Sequence, residues 1–245
     1  MAHVQVHRED IELDEPTLVE GLPGVGLVGK IAADHLVDAL EMTHYASLHC
    51  EGIPEVAVFG ENDPTYDPPV RVYADADRNL LALQSDVPVS PNVADDFATC
   101  LTRWLGERGA TALYVSGLPA EKEGVPGLYG VASGDATDLL EEYDISPPTE
   151  SGVISGPTGA LLYEANRHDL DALGLVVEAN RNFPDPEAAR VLLLDGVGPI
   201  AGVDVDTDHL VEQAEEISQA RENLAKRMQE AQEESSKAQP MGMYQ

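Results

Sequence analysis

The stretch Gly21-Leu-Pro-Gly-Val-Gly-Leu-Val-Gly-Lys30 decides how the rest of the chain is interpreted. Before it, Thr17-Leu-Val-Glu20 has the composition of a short buried strand. After it, apolar residues fall at helical spacing, with alanines between them: Ile31, Leu36, Val37 and Leu40. The segment therefore predicts a strand, a tight glycine turn and a helix, because glycine permits positive φ and close backbone approach while Pro23 stiffens the entry.

The same turn is a candidate anion site, because its N–H groups and the positive end of the helix would face one point. The glycines satisfy the dinucleotide pattern G-x-G-x-x-G and, with the lysine, the pattern G-x-x-x-x-G-K. However, Ile31 stands where a phosphate loop needs a hydroxyl group for magnesium. A turn that simply lets the helix lie close to the sheet is the other interpretation. The candidate anion-binding residues are Gly24, Gly26, Gly29 and Lys30.

The charge of the chain is extreme and dispersed. Its 245 residues include 45 acidic and 14 basic ones, which gives a formal net charge of -31 and a pI near 4.2. Molar salt shortens the Debye length to about 3 Å and makes such self-repulsion tolerable, so this composition is typical of proteins from salt-accumulating halophiles. Without a basic stripe, the same charge argues against nucleic acid as a partner.

The chain shows no long apolar run and no signal-peptide layout, so we expect a cytoplasmic protein that does not enter a membrane. Its two cysteines, Cys50 and Cys100, are far apart and in no metal spacing. The seven histidines are scattered without a catalytic or metal-binding pattern. We therefore predict no metal, no cofactor and no catalytic residues, that is, a protein that is not an enzyme.

Strand and helix patterns alternate along the body of the chain. Strands are predicted at Val56–Phe59, Val70–Tyr73, Leu80–Leu83, Ala112–Val115, Gly152–Ser155 and Gly174–Glu178. Helices are predicted around Val93–Leu105, after Gly156–Gly159, and at Asp185–Leu192 with Pro186 in the first position. The stretch 120–130, rich in glycine and proline, is predicted to be a loop. This alternation predicts an α/β sheet with helices on both faces.

The last part of the chain differs in composition. From Asp208 onward it is polar and helical in pattern, with Leu210, Ile217 and Leu224 at every seventh position. This pattern fits a terminal helix packed on its own body and, equally, a helix that packs between subunits or projects from the body. The predicted divisions are an α/β core at 1–205, an amphipathic helix at 206–234 and a flexible tail at 235–245.

The chain ends in Met243, Tyr244 and Gln245. An adaptable methionine, an amphipathic aromatic ring and a free terminal carboxylate can together fill a pocket on a partner protein. This ending resembles the hydrophobic–tyrosine–any-residue motif with which proteasome activators and assembly chaperones dock between α-subunits of the 20S ring. A frayed terminus is the alternative.

Several stretches together resemble the archaeal members of the proteasome assembly chaperone family. Gly21–Leu36, Gly117–Pro119, Ile154–Leu162 and Asp185–Ala189 occur in the order of that family. The resemblance implies a single sheet flanked by helices, similar to the nucleoside-phosphorylase-type fold, with a C-terminal helical extension. It also implies a homo-oligomer without established catalysis, whose partners are 20S proteasome α-subunits and further copies of itself.

Two functions follow from these observations. In the first, a non-enzymatic assembly chaperone or proteasome-binding protein docks Met243–Gln245 into pockets of the α-subunits. In the second, the Gly21–Lys30 turn binds a nucleotide or phosphorylated metabolite through Lys30, in a ligand-binding protein or weak enzyme. We prefer the first, because the family resemblance is extensive and no set of catalytic groups stands out.

Overall fold

A computed structural model describes residues 2–60, 64–120, 124–217 and 219, which fold as alternating strands and helices. The strands are β1 His3–Val6, β2 Thr17–Gly21, β3 Thr43–His49, β4 Val70–Asp75, β5 Leu80–Ser85, β6 Thr111–Pro119, β7 Leu128–Ser133 and β8 Ala172–Ala179. The helices are α1 Val28–Ala39, α2 Ala94–Gly106, α3 Ala136–Glu142, α4 Gly156–Arg167, α5 Pro186–Leu192 and α6 Gly198–Ala201. A 3-10 turn, Val25–Leu27, precedes α1, and a π-helical turn, Leu193–Val197, joins α5 to α6.

The eight strands form one mixed sheet in the order β1-β3-β4-β5-β2-β6-β8-β7. Its parallel half consists of β5, β2, β6 and β8, which run in the same direction. Its antiparallel half consists of β1, β3 and β4, and β4 pairs antiparallel with β5. At the other edge, β7 pairs antiparallel with β8. The predicted α/β fold with a single sheet is confirmed.

Helices cover both faces of the parallel half. Leu18 and Val19 are adjacent in β2 and both are fully buried, because successive strand residues point to opposite faces. Val19 belongs to the core under α1, with Leu36, whereas Leu18 belongs to the core under α2, with Phe97. This two-sided burial explains why the strands of the parallel half are continuously apolar in sequence.

Two predicted strands are wrong. Val56–Phe59 forms only an isolated bridge between Val58 and Asp67, and Phe59 is 79% exposed. Gly152–Ser155 is irregular, and Val153 is 91% exposed. Both are short apolar runs, and such runs become strands only where the fold supplies a neighbouring strand edge and a face to bury.

Part of the predicted loop at 120–130 belongs to a strand. Residues Leu128–Ser133 form β7, paired in full with β8. Gly130 suggested a break, but a Cβ atom there would overlap the Leu140 side chain of α3. The glycine therefore lets a helix lie on the strand, and tertiary packing overrides its low strand propensity.

The chain after α6 returns to the body. Residues 208–217 are helical, and Leu210 is buried in the core under α1 together with Val203 and Val205. The predicted helix thus begins against its own body, while the rest of it, with Leu224, lies outside the described residues. The divisions at 205 and 234 stay predictions. Within the described ranges, no helix is long and apolar enough to cross a membrane.

Candidate functional site

The glycine turn between β2 and α1 adopts a conformation that favours glycine. Gly26, inside the 3-10 turn, has a φ of 65°, in the left-handed region. Leu27 follows with a φ of 52°, which is unfavourable for a residue that has a Cβ atom. The Gly26 carbonyl accepts a hydrogen bond of 2.8 Å from the N–H of Asp185. A backbone hydrogen bond from a segment far away in sequence, at Asp185, therefore stabilises the conformation of the turn.

Two further glycines permit direct contact between backbones around the turn. A Cβ atom at Gly21 would overlap the Ala33 side chain of α1 and lie 2.5 Å from the carbonyl oxygen of Leu83 in β5. A Cβ atom at Gly117, in β6, would overlap the carbonyl oxygen of Val25 in the turn. The turn and α1 can therefore lie directly on the strands. Two of the stretches that carry the family resemblance meet here.

Another of the stretches that carry the resemblance begins at Asp185 and packs against the turn. The Asp185 carboxylate accepts hydrogen bonds from the N–H groups of Asn180 at 2.7 Å and Ala188 at 3.1 Å. It therefore caps α5, in which Pro186 takes the first position as predicted. A Cβ atom at Gly26 would lie 3.2 Å from the Cβ of Asp185. The cap thus sets the start of α5 against the turn.

A buried glutamate, Glu20, joins the fourth stretch to the turn. Its carboxylate accepts hydrogen bonds from the N–H groups of Val115 at 2.9 Å and Leu22 at 3.2 Å. The Thr158 hydroxyl of α4 lies 3.3 Å from one carboxylate oxygen and 3.2 Å from the other. Burial raises the pKa of Glu20 to about 7, although these hydrogen bonds act in the opposite direction. We call Glu20, the turn and their contacts at Gly117, Thr158 and Asp185 the hub.

Lys30, the candidate phosphate contact, is paired with carboxylates. Its Nζ atom lies 2.9 Å from Asp34 Oδ2 and 3.2 Å from Asp86 Oδ1. Asp86 also accepts a hydrogen bond of 2.6 Å from Arg71, and Gln84 joins Arg71 to Asp34. These five side chains close a ring on the α1 side of the sheet. A phosphate at Lys30 would have to compete with two carboxylates.

The glycines of the candidate anion site serve the packing or face open space. A Cβ atom at Gly29 would lie 3.2 Å from the carbonyl oxygen of Glu20, whereas at Gly24 it would meet none of the described atoms within 4 Å. The Gly24 carbonyl accepts a hydrogen bond from the N–H of Leu27. Anion binding by Gly24, Gly26, Gly29 and Lys30 stays a prediction, and the neighbouring carboxyl groups disfavour it electrostatically.

A second polar cluster lies on the antiparallel half. The Nε2 atoms of His7 and His44 lie 2.7 Å and 3.1 Å from the Ser47 hydroxyl, and His44 Nδ1 lies 3.4 Å from an Asp67 oxygen. Burial lowers the pKa of His44, with smaller contributions from His7 and Arg71 and an opposing one from Asp67. Among the residues that the structure describes, no group of His, Cys, Asp and Glu side chains could hold a metal ion.

Sequence reasoning missed most residues of these networks, among them Glu20 and Asp86. Glu20 had a signal, since a carboxyl group at the end of an apolar strand, directly before a glycine turn, is unusual. Asp86 had no such signal in the sequence, because it lies 56 residues from Lys30 in the chain and only the folded structure brings the two side chains together. The predicted partner-binding residues Met243, Tyr244 and Gln245 lie outside the described residues.

The chain matches the model of the PAC2 family over residues 18–225 and belongs to that family. The match contains the hub and the start of the C-terminal helix. This chain is also 28% identical over 243 residues to an uncharacterised protein of Methanocaldococcus jannaschii, with 96% of each chain covered.

Solved structures share the fold. The chain is 26% identical to PbaA of Pyrococcus furiosus, an archaeal homolog of proteasome-assembly chaperone, with a TM-score of 0.79 and 96% of each chain covered. It is also similar to PbaB of the same organism, an archaeal proteasome activator, at 24% identity. That comparison has a TM-score of 0.75 and covers 91% of this chain and 98% of PbaB, and at this identity it shows the fold alone.

Proposed function

We propose that this protein is a non-enzymatic proteasome assembly chaperone or proteasome-binding protein. The observation that carries the proposal is the similarity to PbaA, which extends over 96% of both chains. Membership of the PAC2 family supports it, because the family match covers the whole hub. The proposed partners are 20S proteasome α-subunits and, in a homo-oligomer, further copies of this chain.

We propose further that Met243, Tyr244 and Gln245 dock into pockets of the α-subunits. The support is chemical: the three residues provide an adaptable apolar side chain, an amphipathic ring and a terminal carboxylate that can pair with a lysine. The acidic composition extends the proposal to the cytoplasm of a halophile, where apolar contacts persist while exposed ion pairs are screened. We therefore expect binding to survive molar KCl.

Substitution of Tyr244 tests this docking. Tyr244→Ala should weaken binding to purified α-subunits by about 2 kcal/mol or more, as for an aromatic anchor, which is roughly 30-fold in Kd. Tyr244→Phe is the matched control, since it keeps the ring and loses only the hydroxyl group, so its loss should be smaller. Equal affinities of wild type and Tyr244→Ala, measured in molar KCl, would eliminate the docking mechanism.

Phosphate binding at the glycine turn is tested independently. Because Lys30 is paired with Asp34 and Asp86, we expect nucleotides and inorganic phosphate to leave the Tm of the protein unchanged. A ligand at 100 times its Kd would add about 2.7 kcal/mol to the free energy of unfolding. An increase in Tm that Lys30→Met abolishes would establish the anion site and revive the second interpretation of the sequence.

A further inference from the structure

The sheet has a switch point between β2 and β6. After β2 the chain passes through α1 to β3 and β4 and returns to β5, and all three of these strands lie on one side of β2. After β6 it passes through β7, α3 and α4 to β8, and both of these strands lie on the other side of β6. Pairing of β2 with β6 ends at Val19 and Leu113, so a crevice opens beyond this pair at the carboxyl ends of the strands. In open α/β sheets this crevice is the usual place for a ligand.

In this protein the crevice holds a side chain of the protein itself. Glu20 follows Val19 directly, and its carboxyl group bridges to the N–H of Val115, beyond the last paired residue of β6. The Thr158 hydroxyl approaches both oxygens and also lies 3.4 Å from the Val115 carbonyl oxygen. Glu20 is therefore the connection between the two diverging strands and the first turn of α4, which begins at Gly156.

Among the residues that the structure describes, the surroundings of Glu20 offer hydrogen-bond donors but no countercharge. Its own strand and the turn supply the Leu22 N–H, and β6 supplies the Val115 N–H. The titratable group that β6 places near it is Tyr114, which is buried, and the ionisation of Glu20 would raise the pKa of this phenol further. On α4 the group that faces Glu20 is the Thr158 hydroxyl.

The charged groups of the neighbouring elements are engaged elsewhere. On α1, Lys30 belongs to the ring with Asp34 on the opposite face of the sheet. On α4, the buried Glu164 pairs with Arg167 at 2.6 Å. Within the described ranges, no basic side chain forms an ion pair with Glu20. An ionised Glu20 is therefore a buried charge that only dipoles stabilise, which is costly.

We propose that Glu20 is a proton-linked latch: as a neutral acid it stays buried beneath the first turn of α4, in the crevice between β2 and β6, whereas its ionisation favours opening of that turn, because opening hydrates the charge. The pKa of Glu20, raised to about 7 by burial, places this transition near neutral pH. The folded state holds the proton more tightly than the unfolded chain, whose pKa is 4.5. The latch therefore stabilises fully below pH 4.5, and this stabilisation is lost as the pH rises to 7.

The first test compares wild type with Glu20→Gln, which imitates the neutral acid. Unfolding is measured in molar KCl between pH 5.5 and 8.5. Between these two pH values, the ratio of the unfolding equilibrium constant of wild type to that of the variant should rise roughly 30-fold. The rise is tenfold per pH unit and ends near the pKa of Glu20, about 7, which lies 1.5 units above the starting pH. Glu164→Gln, the matched control at a buried carboxylate, should keep the pH dependence of wild type. A pH-independent difference between wild type and Glu20→Gln overturns the proposal.

The second test uses wild type alone and does not depend on the folding of a variant. Hydrogen exchange of α4 is compared with that of α2, after correction for the intrinsic pH dependence of exchange. Protection of residues 158–161 should fall as the pH passes 7, while protection of α2 stays constant. Uniform behaviour of both helices would contradict a latch at α4.

A third variant, Thr158→Val, removes a hydrogen bond to Glu20 with little change of shape. Because that bond favours the ionised form, its loss should move the midpoint of the exchange transition to higher pH. A midpoint that does not move would show that another group titrates, and would overturn the assignment to Glu20.

Discussion

The parallel and antiparallel halves of the sheet are built by different means. In the parallel half, helices cover both faces, and glycines such as Gly21 and Gly117 let backbones touch. In the antiparallel half, β4 buries Val70 and Val72 on one face and carries Arg71 in a polar network on the other. The first half is specified by backbone contacts and the second by the alternation of apolar and polar side chains, so they should respond to different perturbations.

The two halves also differ in their response to pH. Burial raises the pKa of Glu20 in the parallel half, so the free energy of unfolding falls as the pH rises from 4.5 to 7. Burial lowers the pKa of His44 and His49 in the antiparallel half, so there the free energy of unfolding falls as the pH drops below 6.5. The same cause, desolvation, thus gives opposite signs because it disfavours a negative charge in one half and a positive charge in the other.

The largest effect is expected from a single methyl group in the parallel half. Gly21→Ala should reduce the free energy of unfolding by about 3 kcal/mol, because the new Cβ overlaps Ala33 and lies 2.5 Å from the Leu83 carbonyl oxygen. Gly106→Ala, at the end of α2, is the control, since its Cβ would meet none of the described atoms within 4 Å. Denaturant unfolding measures the free energy of unfolding of both variants. Equal values for Gly21→Ala and Gly106→Ala would refute the role of backbone contact.

A smaller effect is expected where a side chain, and not a backbone contact, fixes the hub. Asp185→Ala should reduce the free energy of unfolding by about 1–2 kcal/mol, because the cap of α5 is lost. The matched control is Asp135→Ala, at the start of α3, where the aspartate side chain makes no capping hydrogen bond. Thermal unfolding of the two variants gives the comparison, and a control as destabilised as Asp185→Ala would argue against the capping account.

The smallest effect concerns the antiparallel half. His44→Gln should weaken the fall in stability between pH 6.5 and 5, because the variant no longer carries a half-buried imidazole that resists protonation. Glu20→Gln serves as the counterpart, since it removes the opposing gain in stability as the pH drops from 7 to 4.5 and should therefore make this fall steeper. Unfolding curves across this range measure the stability of both variants. If the free energy of unfolding of His44→Gln falls between pH 6.5 and 5 as steeply as that of wild type, another group causes the fall.

The sequence predicts the parallel half better than the rest of the molecule. The strand, glycine turn and helix at Thr17–Ala39 follow from local signals, because turn residues and helical periodicity coincide. The strand β7 could not be predicted, because the need for Gly130 comes from α3 and not from the strand. A strand was wrongly predicted at Val56–Phe59, because the local sequence does not reveal that an apolar run has no neighbouring strand to pair with.

The hub could be predicted only in part. The glycine pattern pointed to the turn, but Thr158 lies 138 residues from Glu20, and only the topology of the sheet brings them together. The pairing of Lys30 with Asp86 is hidden for the same reason. Local patterns show which backbone conformations are accessible, whereas the charge around a side chain depends on long-range contacts.

The most direct test of the account is a pull-down of purified 20S α-subunits in molar KCl with two forms of the protein. One is the full chain, and the other lacks Met243–Gln245 but should have the same Tm, because the described body and its hub are unchanged. The account predicts that the full chain retains α-subunits and the shortened chain does not. Equal retention by both would move the interface away from these three residues, and no retention by the full chain would contradict the proposed function.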